Sequence, residues 1–312
     1  MRYTKLGVLF CGLFLALPGL AQEAENLLDR MQDEHQHEYQ GSFIYERKDV
    51  FSTHYMWNGV DAAGQRLERF LQLNGNYFEL FRKDGEVVCA INSAEHEQFL
   101  ARKLQDQELD WEELSQWYSL QMLGQSRVAG RPAVVILFAP RDEYRYPLEL
   151  HLDEQTAVPL KSLLLNEEGQ LLERFQFVTF VDGALREQDF DFSYRPCDSL
   201  AAPSAADVSS GVVWQFDWLP DGFRPVYPQV EDWELGQKHI SNQSFTDGLA
   251  QFSVFLEPLD DRDVMAAHMQ LGPTTVITQQ LDTPNGAYML TVLGEIPPIA
   301  AEQMARSIRI GN

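Results

Sequence analysis

Three cysteines among 312 residues are too few for a disulfide framework. None stands in a Cys-x-x-Cys pair, which removes the common thiol-redox and zinc-ribbon chemistries. Positive charge is also scarce: 24 Lys and Arg face 47 Asp and Glu, for a net charge of −23. Such a surface repels phosphate backbones and excludes a general nucleic-acid binder. It equally disfavours a basic patch on anionic lipid heads, so a protein partner should be basic or apolar. Catalytic signatures are missing too. There is no phosphate loop, dinucleotide glycine fingerprint or His-Glu-x-x-His stretch, and Gly124-Gln-Ser-Arg-Val128 lacks the second glycine of a nucleophile elbow.

Long apolar runs are limited to one. Arg2 and Lys5 precede Leu6–Leu17, and Gly19 and Ala21 occupy the −3 and −1 positions for cleavage before Gln22. That arrangement is a secretory signal over residues 1–21, because the run is shorter than the ~20 residues a membrane span needs. Cys11 follows the bulky Phe10 and sits too early to be a lipoprotein cysteine. Loss of Arg2 and Lys5 leaves 22 basic against 47 acidic side chains, a charge of −25. Export leaves Cys89 and Cys197 in an oxidising compartment, where they either pair or remain two thiols, Cys89 then being buried in a strand. Closing so long a loop would contribute about 4–5 kcal/mol in the chain-entropy model.

Hydrophobic residues at 45% fill real cores, and the length suits two domains. Ala24, Leu27, Leu28, Met31 and His35 recur at helical spacing. Thereafter the period becomes two. Phe51, Thr53, Tyr55 and Trp57 share one face against Ser52, His54, Met56 and Asn58. The same alternation sets Leu148, Leu150 and Leu152 against Glu149, His151 and Asp153, and Phe190, Phe192 and Tyr194 against Asp189, Asp191 and Ser193. Asn58-Gly59, Asn74-Gly75, Asp84-Gly85 and Asp182-Gly183 read as tight turns. A helix is expected over Trp111–Leu123. The fold class is therefore mainly β with some α: an unclosed antiparallel half-barrel covered by helices. Its aromatic faces are either packed core or the wall of a lipid-sized cavity.

The Ser/Ala-rich stretch 198–211 reads as a linker between residues 22–197 and a smaller domain, 212–312. In that domain strands are expected at Val213–Trp218, Phe223–Tyr227, Gln251–Leu256, Thr274–Gln279 and Ala287–Leu293. One helix is expected from Asp260 or Asp261 to Met269, and another after Pro297-Pro298 carrying Ile299, Met304 and Ile308. Polar clusters carry little. His35 and His37 stand two apart on a helix and point in different directions. Asp189 and Asp191 could pair as acid and base, but a solvent-facing edge is simpler. Asn242-Gln-Ser244 matches a glycosylation sequon that is common by chance. No catalytic residue, metal or cofactor is expected.

Several stretches carry a resemblance: Trp218-Leu-Pro-Asp-Gly-Phe223, Thr246-Asp-Gly-Leu249 leading into Phe252-Ser-Val-Phe-Leu256, and Val292-Leu-Gly-Glu-Ile-Pro-Pro298. Tyr39-Gln-Gly-Ser-Phe-Ile-Tyr-Glu46, Leu71-Gln-Leu-Asn-Gly75 and Leu171-Leu-Glu-Arg-Phe175 join them. Together they resemble the MucB/RseB family of periplasmic regulators of the extracytoplasmic-stress sigma factor, nearest its MucB side. The resemblance implies a first domain similar to the lipoprotein carrier LolA. It also implies a second domain that, with the linker, binds the periplasmic region of a membrane-spanning anti-sigma factor and shields it from site-1 proteolysis. Lipid or lipopolysaccharide entering the first domain would loosen that complex, and self-association into a homo-oligomer is a further implication. Phe51, Tyr55, Trp57, Phe70 and Tyr77 are the candidates for a lipid cavity. Trp218, Pro220, Gly222 and Phe223 are those for partner contact, although Trp218 and Phe223 read equally as core. The alternative function is a periplasmic lipid or lipoprotein carrier, and a hydrolase is more distant still.

Overall fold

The computed structural model describes residues 18–33, 37–92, 110–183, 185–191, 197, 214–226, 231–235, 238–259, 266–283 and 286–310. The signal segment lies mostly, and the linker wholly, outside the described residues. Helix α1 (Pro18–Asp33) leads to five strands, β1 (Tyr39–Arg47), β2 (Val50–Val60), β3 (Arg66–Gln72), β4 (Glu79–Lys83) and β5 (Glu86–Ile91). A short helix α2 (Trp111–Trp117) precedes β6 (Tyr118–Val128), β7 (Arg131–Pro140), β8 (Leu148–Asp153), β9 (Pro159–Leu165) and β10 (Leu171–Phe177). These strands form one antiparallel sheet in the order β5-β4-β3-β2-β1-β10-β9-β8-β7-β6, with β11 (Val181–Asp182) beside the start of β1. The outer strands β5 and β6 do not pair with each other among the described residues, so the barrel is unclosed.

The sheet curls because its two halves share an apolar interior. Phe70, Leu80 and Ala90 from β3–β5 cluster with Val128, Ala133 and Leu160 from the other half. Helix α1 lies in the trough. Its predicted stripe of Ala24, Leu27, Leu28 and Met31 packs on Ile136, Phe138, Leu148, Leu150 and Leu152, while His35 falls outside the described residues. Leu28 is fully buried there, and Leu28→Ala would cost about 2–5 kcal/mol. The alternation read from β8 is observed, with Leu148, Leu150 and Leu152 inside.

The smaller unit is built on a sheet ordered β13 (Arg224–Pro225), β15 (Lys238–Thr246), β16 (Gln251–Pro258), β19 (Gly286–Gly294), β18 (Thr274–Thr283), β17 (Ala267–Leu271), with β14 (Glu231–Leu235) also on β15. Strands β12 (Trp214–Phe216) and β20 (Ile308–Ile310) pair separately. Helix α3 (Pro298–Ser307) places Ala300, Ala301, Met304 and Ala305 on Phe252, Val254, Ile277 and Val292. Proline in its first turn gives up an N–H that has no helical partner anyway.

Five expectations are corrected. The helix from Trp111 stops at Trp117, because Tyr118 is already extended (φ −126°, ψ 148°) and its strand pairs with β7. Asp110 caps the start of that helix by accepting from the Glu113 N–H at 3.0 Å. Asn58-Gly59 is no turn but lies inside β2, where a Cβ on Gly59 would stand 2.6 Å from Leu185 Cδ1. Close packing, rather than backbone freedom, requires that glycine. Asp189 and Phe190 belong to a 3₁₀ turn (Glu187–Phe190) instead of a strand, while Phe192 and Tyr194 lie outside the described residues. Where a helix was expected to reach Met269, Ala267–Leu271 is the outer strand β17, and residues 260–265 lie outside the described residues. Ile299 faces solvent and Ile308 has passed into β20.

Candidate functional site

The motif-bearing loops of the smaller unit gather at one end of the half-barrel. That end carries the β1–β2, β7–β8 and β9–β10 turns and the start of β6, as the antiparallel registers require. At its centre is Arg145, in the loop between β7 and β8. Its Nε donates to Asp247 Oδ2 at 2.6 Å, and both side chains have 0% exposure. Its other nitrogens donate to the Asp142 carboxylate and the Asp221 carbonyl. The guanidinium carbon stands 4.9 Å from the Phe223 ring centre and 5.4 Å from that of Trp117.

Asp247 completes the arrangement from the β15–β16 turn. Its Oδ2 also accepts from Tyr118 Oη at 3.0 Å, and its Oδ1 accepts from the Leu249 and Ala250 N–H groups at 2.9 and 2.7 Å. The carboxylate thus fixes its own turn while bridging to the barrel. Burial, and then the Asp247 charge, push the Tyr118 hydroxyl well above its ordinary value, so it stays a donor. Leu249, at the tip of the turn, packs against the cluster that holds α1 to the sheet. A buried pair of this kind costs desolvation that its Coulomb attraction barely repays. It therefore dictates orientation more than it adds stability.

Two flanking contacts extend the seam. On one side Trp218 meets Tyr144 edge-on at 4.9 Å between centroids. Gly222 there has a positive φ of 88° and lies flat on Trp117, so an added Cβ would stand 2.3 Å from the indole. On the other side Arg47, at the end of β1, donates through Nε to the Leu271 carbonyl at 3.3 Å and approaches Glu295 at 3.5 Å. Gln270 Nε2 donates to Tyr146 Oη at 3.2 Å. The partner candidates Trp218, Pro220, Gly222 and Phe223 therefore all lie in or beside this intramolecular seam. Pro220 and Phe223 are buried, and Phe223 belongs to the core of the smaller unit.

The five cavity candidates are dispersed. Only Phe70 lies in the barrel interior, beside Met56, Leu80 and Phe177. Phe51, near the tip of the β1–β2 hairpin, is 66% exposed. Tyr55 and Trp57 contact each other on the opposite face of β2. Trp57 there stacks under Arg69, whose carboxylate partner Glu79 accepts from the Tyr77 hydroxyl. The return segment covers that outer face. Asp189 supplies its carbonyl to Arg69 at 2.8 Å, and Cys197 forms a disulfide with Cys89. Interior residues missed in the sequence are Tyr39, Phe43, Phe78 and Phe177. Alternation along β1, which buries Tyr39, Gly41 and Phe43, was the available signal.

The polar clusters are tied into structure. His37 Nε2 meets Asp182 Oδ1 at 2.8 Å. Asp189 accepts from the Arg186 N–H at 2.9 Å, and the Arg186 guanidinium beside it holds its carboxyl below the ordinary value. His151 joins Ser126 through Nδ1 and Glu149 through Nε2, each at 2.7 Å. This row has the composition of a nucleophile, base and acid, but Ser126 sits mid-strand rather than on a strained turn, and burial pushes His151 below its ordinary value. Among the described residues no three His, Cys, Asp or Glu side chains gather as a metal site. Asn242 of the sequon is buried within β15.

An unclosed half-barrel capped at one end by a second, smaller sheet, with the motif residues of the smaller unit in or beside the seam, defines a two-unit, mainly β protein. Family models for the MucB/RseB N-terminal domain and the MucB/RseB C-terminal domain match residues 23–193 and 209–309. The chain belongs to the MucB/RseB family. It is 43% identical over 317 residues to the sigma factor AlgU regulatory protein MucB of Pseudomonas aeruginosa, covering 99% of this chain and 98% of that protein. Similarity to the sigma-E factor regulatory protein RseB of Escherichia coli K12 is 28% over 209 residues, 65% of this chain and 62% of that one. The crystal structure of MucB in complex with MucA(peri) superposes with a TM-score of 0.75 at 41% identity, covering 92% of this chain and 98% of that one. The Pseudomonas aeruginosa MucA/MucB complex gives 0.77 at 40% identity, with the same coverage.

Proposed function

We propose that this chain is a periplasmic negative regulator of an envelope-stress sigma factor. It binds the periplasmic region of a membrane anti-sigma factor and shields that region from site-1 proteolysis until lipid or lipopolysaccharide releases it. The observation that carries this reading is similarity spanning both units, to a protein named as a regulator of sigma factor AlgU and seen in complex with MucA(peri). The division of labour follows the resemblance, with residues 22–197 sensing lipid, 198–211 linking and 212–312 contributing the principal partner surface. No chemistry is assigned to the chain. Among the described residues no helix is long and apolar enough to cross a membrane.

Immobilised anti-sigma periplasmic segment should retain the full-length chain, and lipopolysaccharide should reduce the retained fraction. Failure to bind in the absence of lipid would sink the regulatory reading. A second reading, a lipid or lipoprotein carrier, draws on the unclosed half-barrel with a helix in its trough. Transfer of lipoprotein between membranes without any anti-sigma factor would favour it.

A further inference from the structure

We infer that the C-terminal unit is a latched lid on the half-barrel, and that an acyl chain entering the barrel must displace the Asp247–Ala250 turn, so that ligand entry opens the seam. This rests on the lipid-sensing reading and names the device through which sensing acts. Three observations converge on it. First, among the described residues the contacts across the seam fall at one end of the barrel. At the far end Arg30 Nη2 of α1 donates to the Gln155 carbonyl at 2.6 Å in the β8–β9 turn, joining α1 to the sheet there. Second, Leu249 packs, partly buried, against the apolar cluster that holds α1 to the sheet, so the C-terminal unit adds a side chain at the edge of a core that otherwise belongs to the barrel. An aliphatic chain entering the cluster from that end would compete with Leu249 for the same apolar contacts, because an interior at native packing density leaves no room for both. Third, the latch is a buried ion pair. Its attraction is nearly cancelled by desolvation while closed, and both ions regain water when it opens, so it selects one closed geometry without locking it. A ligand shifts such an equilibrium by its differential affinity for the two states.

The inference is tested on the full-length chain with cis-parinaric acid as the acyl probe. In the wild-type protein, hydrogen exchange should accelerate on probe binding across residues 141–147 and 246–250, with exchange in β8 and β9 unchanged. Leu249→Ser, which leaves the ion pair intact, should tighten probe binding at least ~10-fold, about 1.4 kcal/mol, because the competing side chain is gone. Displacement of the probe by lipopolysaccharide or by phospholipid vesicles identifies the source of the chain. Probe binding to wild type with unchanged exchange at the seam, or equal affinity for wild type and Leu249→Ser, overturns the lid while leaving lipid sensing standing. Absence of probe binding to either form, with the variant folded by circular dichroism, overturns both.

Discussion

His151 shows how a single side chain that resembles an active group can be a structural one. It sits on the outer sheet face with both ring nitrogens committed, to Ser126 and to Glu149. Burial lowers its pKa from the ordinary 6.5, against the opposing pull of the Glu149 hydrogen bond. The folded state therefore prefers the neutral ring, and the unfolded chain takes up its proton first. Stability associated with this residue is full above pH 6.5 and is lost as pH falls through 6.5 towards the lowered native value. Asp153 acts lower down the scale. Burial alone would raise it, but the Arg131 ion pair and the Thr156 hydrogen bonds outweigh burial and hold it below its ordinary 3.8. Its contribution is present above 3.8 and disappears as pH falls below that value. Urea midpoints measured from pH 8 to pH 3 should thus decline in two stages. His151→Gln should flatten the upper stage and leave the lower one; an unchanged upper stage would assign it to another group.

At the scale of elements, the disulfide decides how the outer face of β2–β5 is covered. Cys89 lies buried in β5, and Cys197 joins it from 108 residues further along, with 5.2 Å between the Cα atoms. Through this link the segment that brings Leu185 and Phe190 onto Gly59 is anchored at its end. Closing that loop limits the unfolded chain by about 4–5 kcal/mol in the entropy model. Reduction with dithiothreitol, or Cys197→Ser, should lower the melting temperature, and amide exchange should rise first in β5 and in residues 185–191. A melting temperature unmoved by reduction would show that packing alone holds the segment. Sequence left this bond undecided because pairing depends on two Cα atoms separated by a whole sheet. The same limit explains the other misreadings. Strand alternation told which residues share a face, as in Tyr55 and Trp57 against His54 and Met56, but not which face looks inward. Aromatic content pointed to the wrong one for β2, because the return segment makes a second apolar layer outside the barrel. Tyr118 to Met122 carries a helical period, yet pairing with β7 overrides that local preference.

For the whole molecule, the two sheets and the unclosed barrel were legible, since period-two patterning over many strands survives any local error. The seam was not, because Arg145 carries no sequence signal beyond being an arginine, and the motif around Trp218–Phe223 reads the same whether it faces a partner or a neighbouring domain. Charge is the property that no local misreading alters. With 22 basic against 47 acidic side chains after residue 21, and with many of the described arginines already in ion pairs inside the fold, the surface potential seen by an approaching partner is negative. Opposite charges steer encounter over roughly a Debye length, about 8 Å at physiological ionic strength and about 3 Å at 1 M salt. Rim charges act mainly on the association rate, whereas a desolvated apolar contact acts on dissociation. Binding to a basic anti-sigma segment should therefore show an association rate that falls at least ~10-fold between 20 mM and 500 mM sodium chloride, with dissociation changing far less. Biolayer interferometry across that range separates the two. A salt-independent association rate would mean that the partner meets an apolar patch such as exposed Val50 and Phe51, and that the acidity of the chain serves solubility alone.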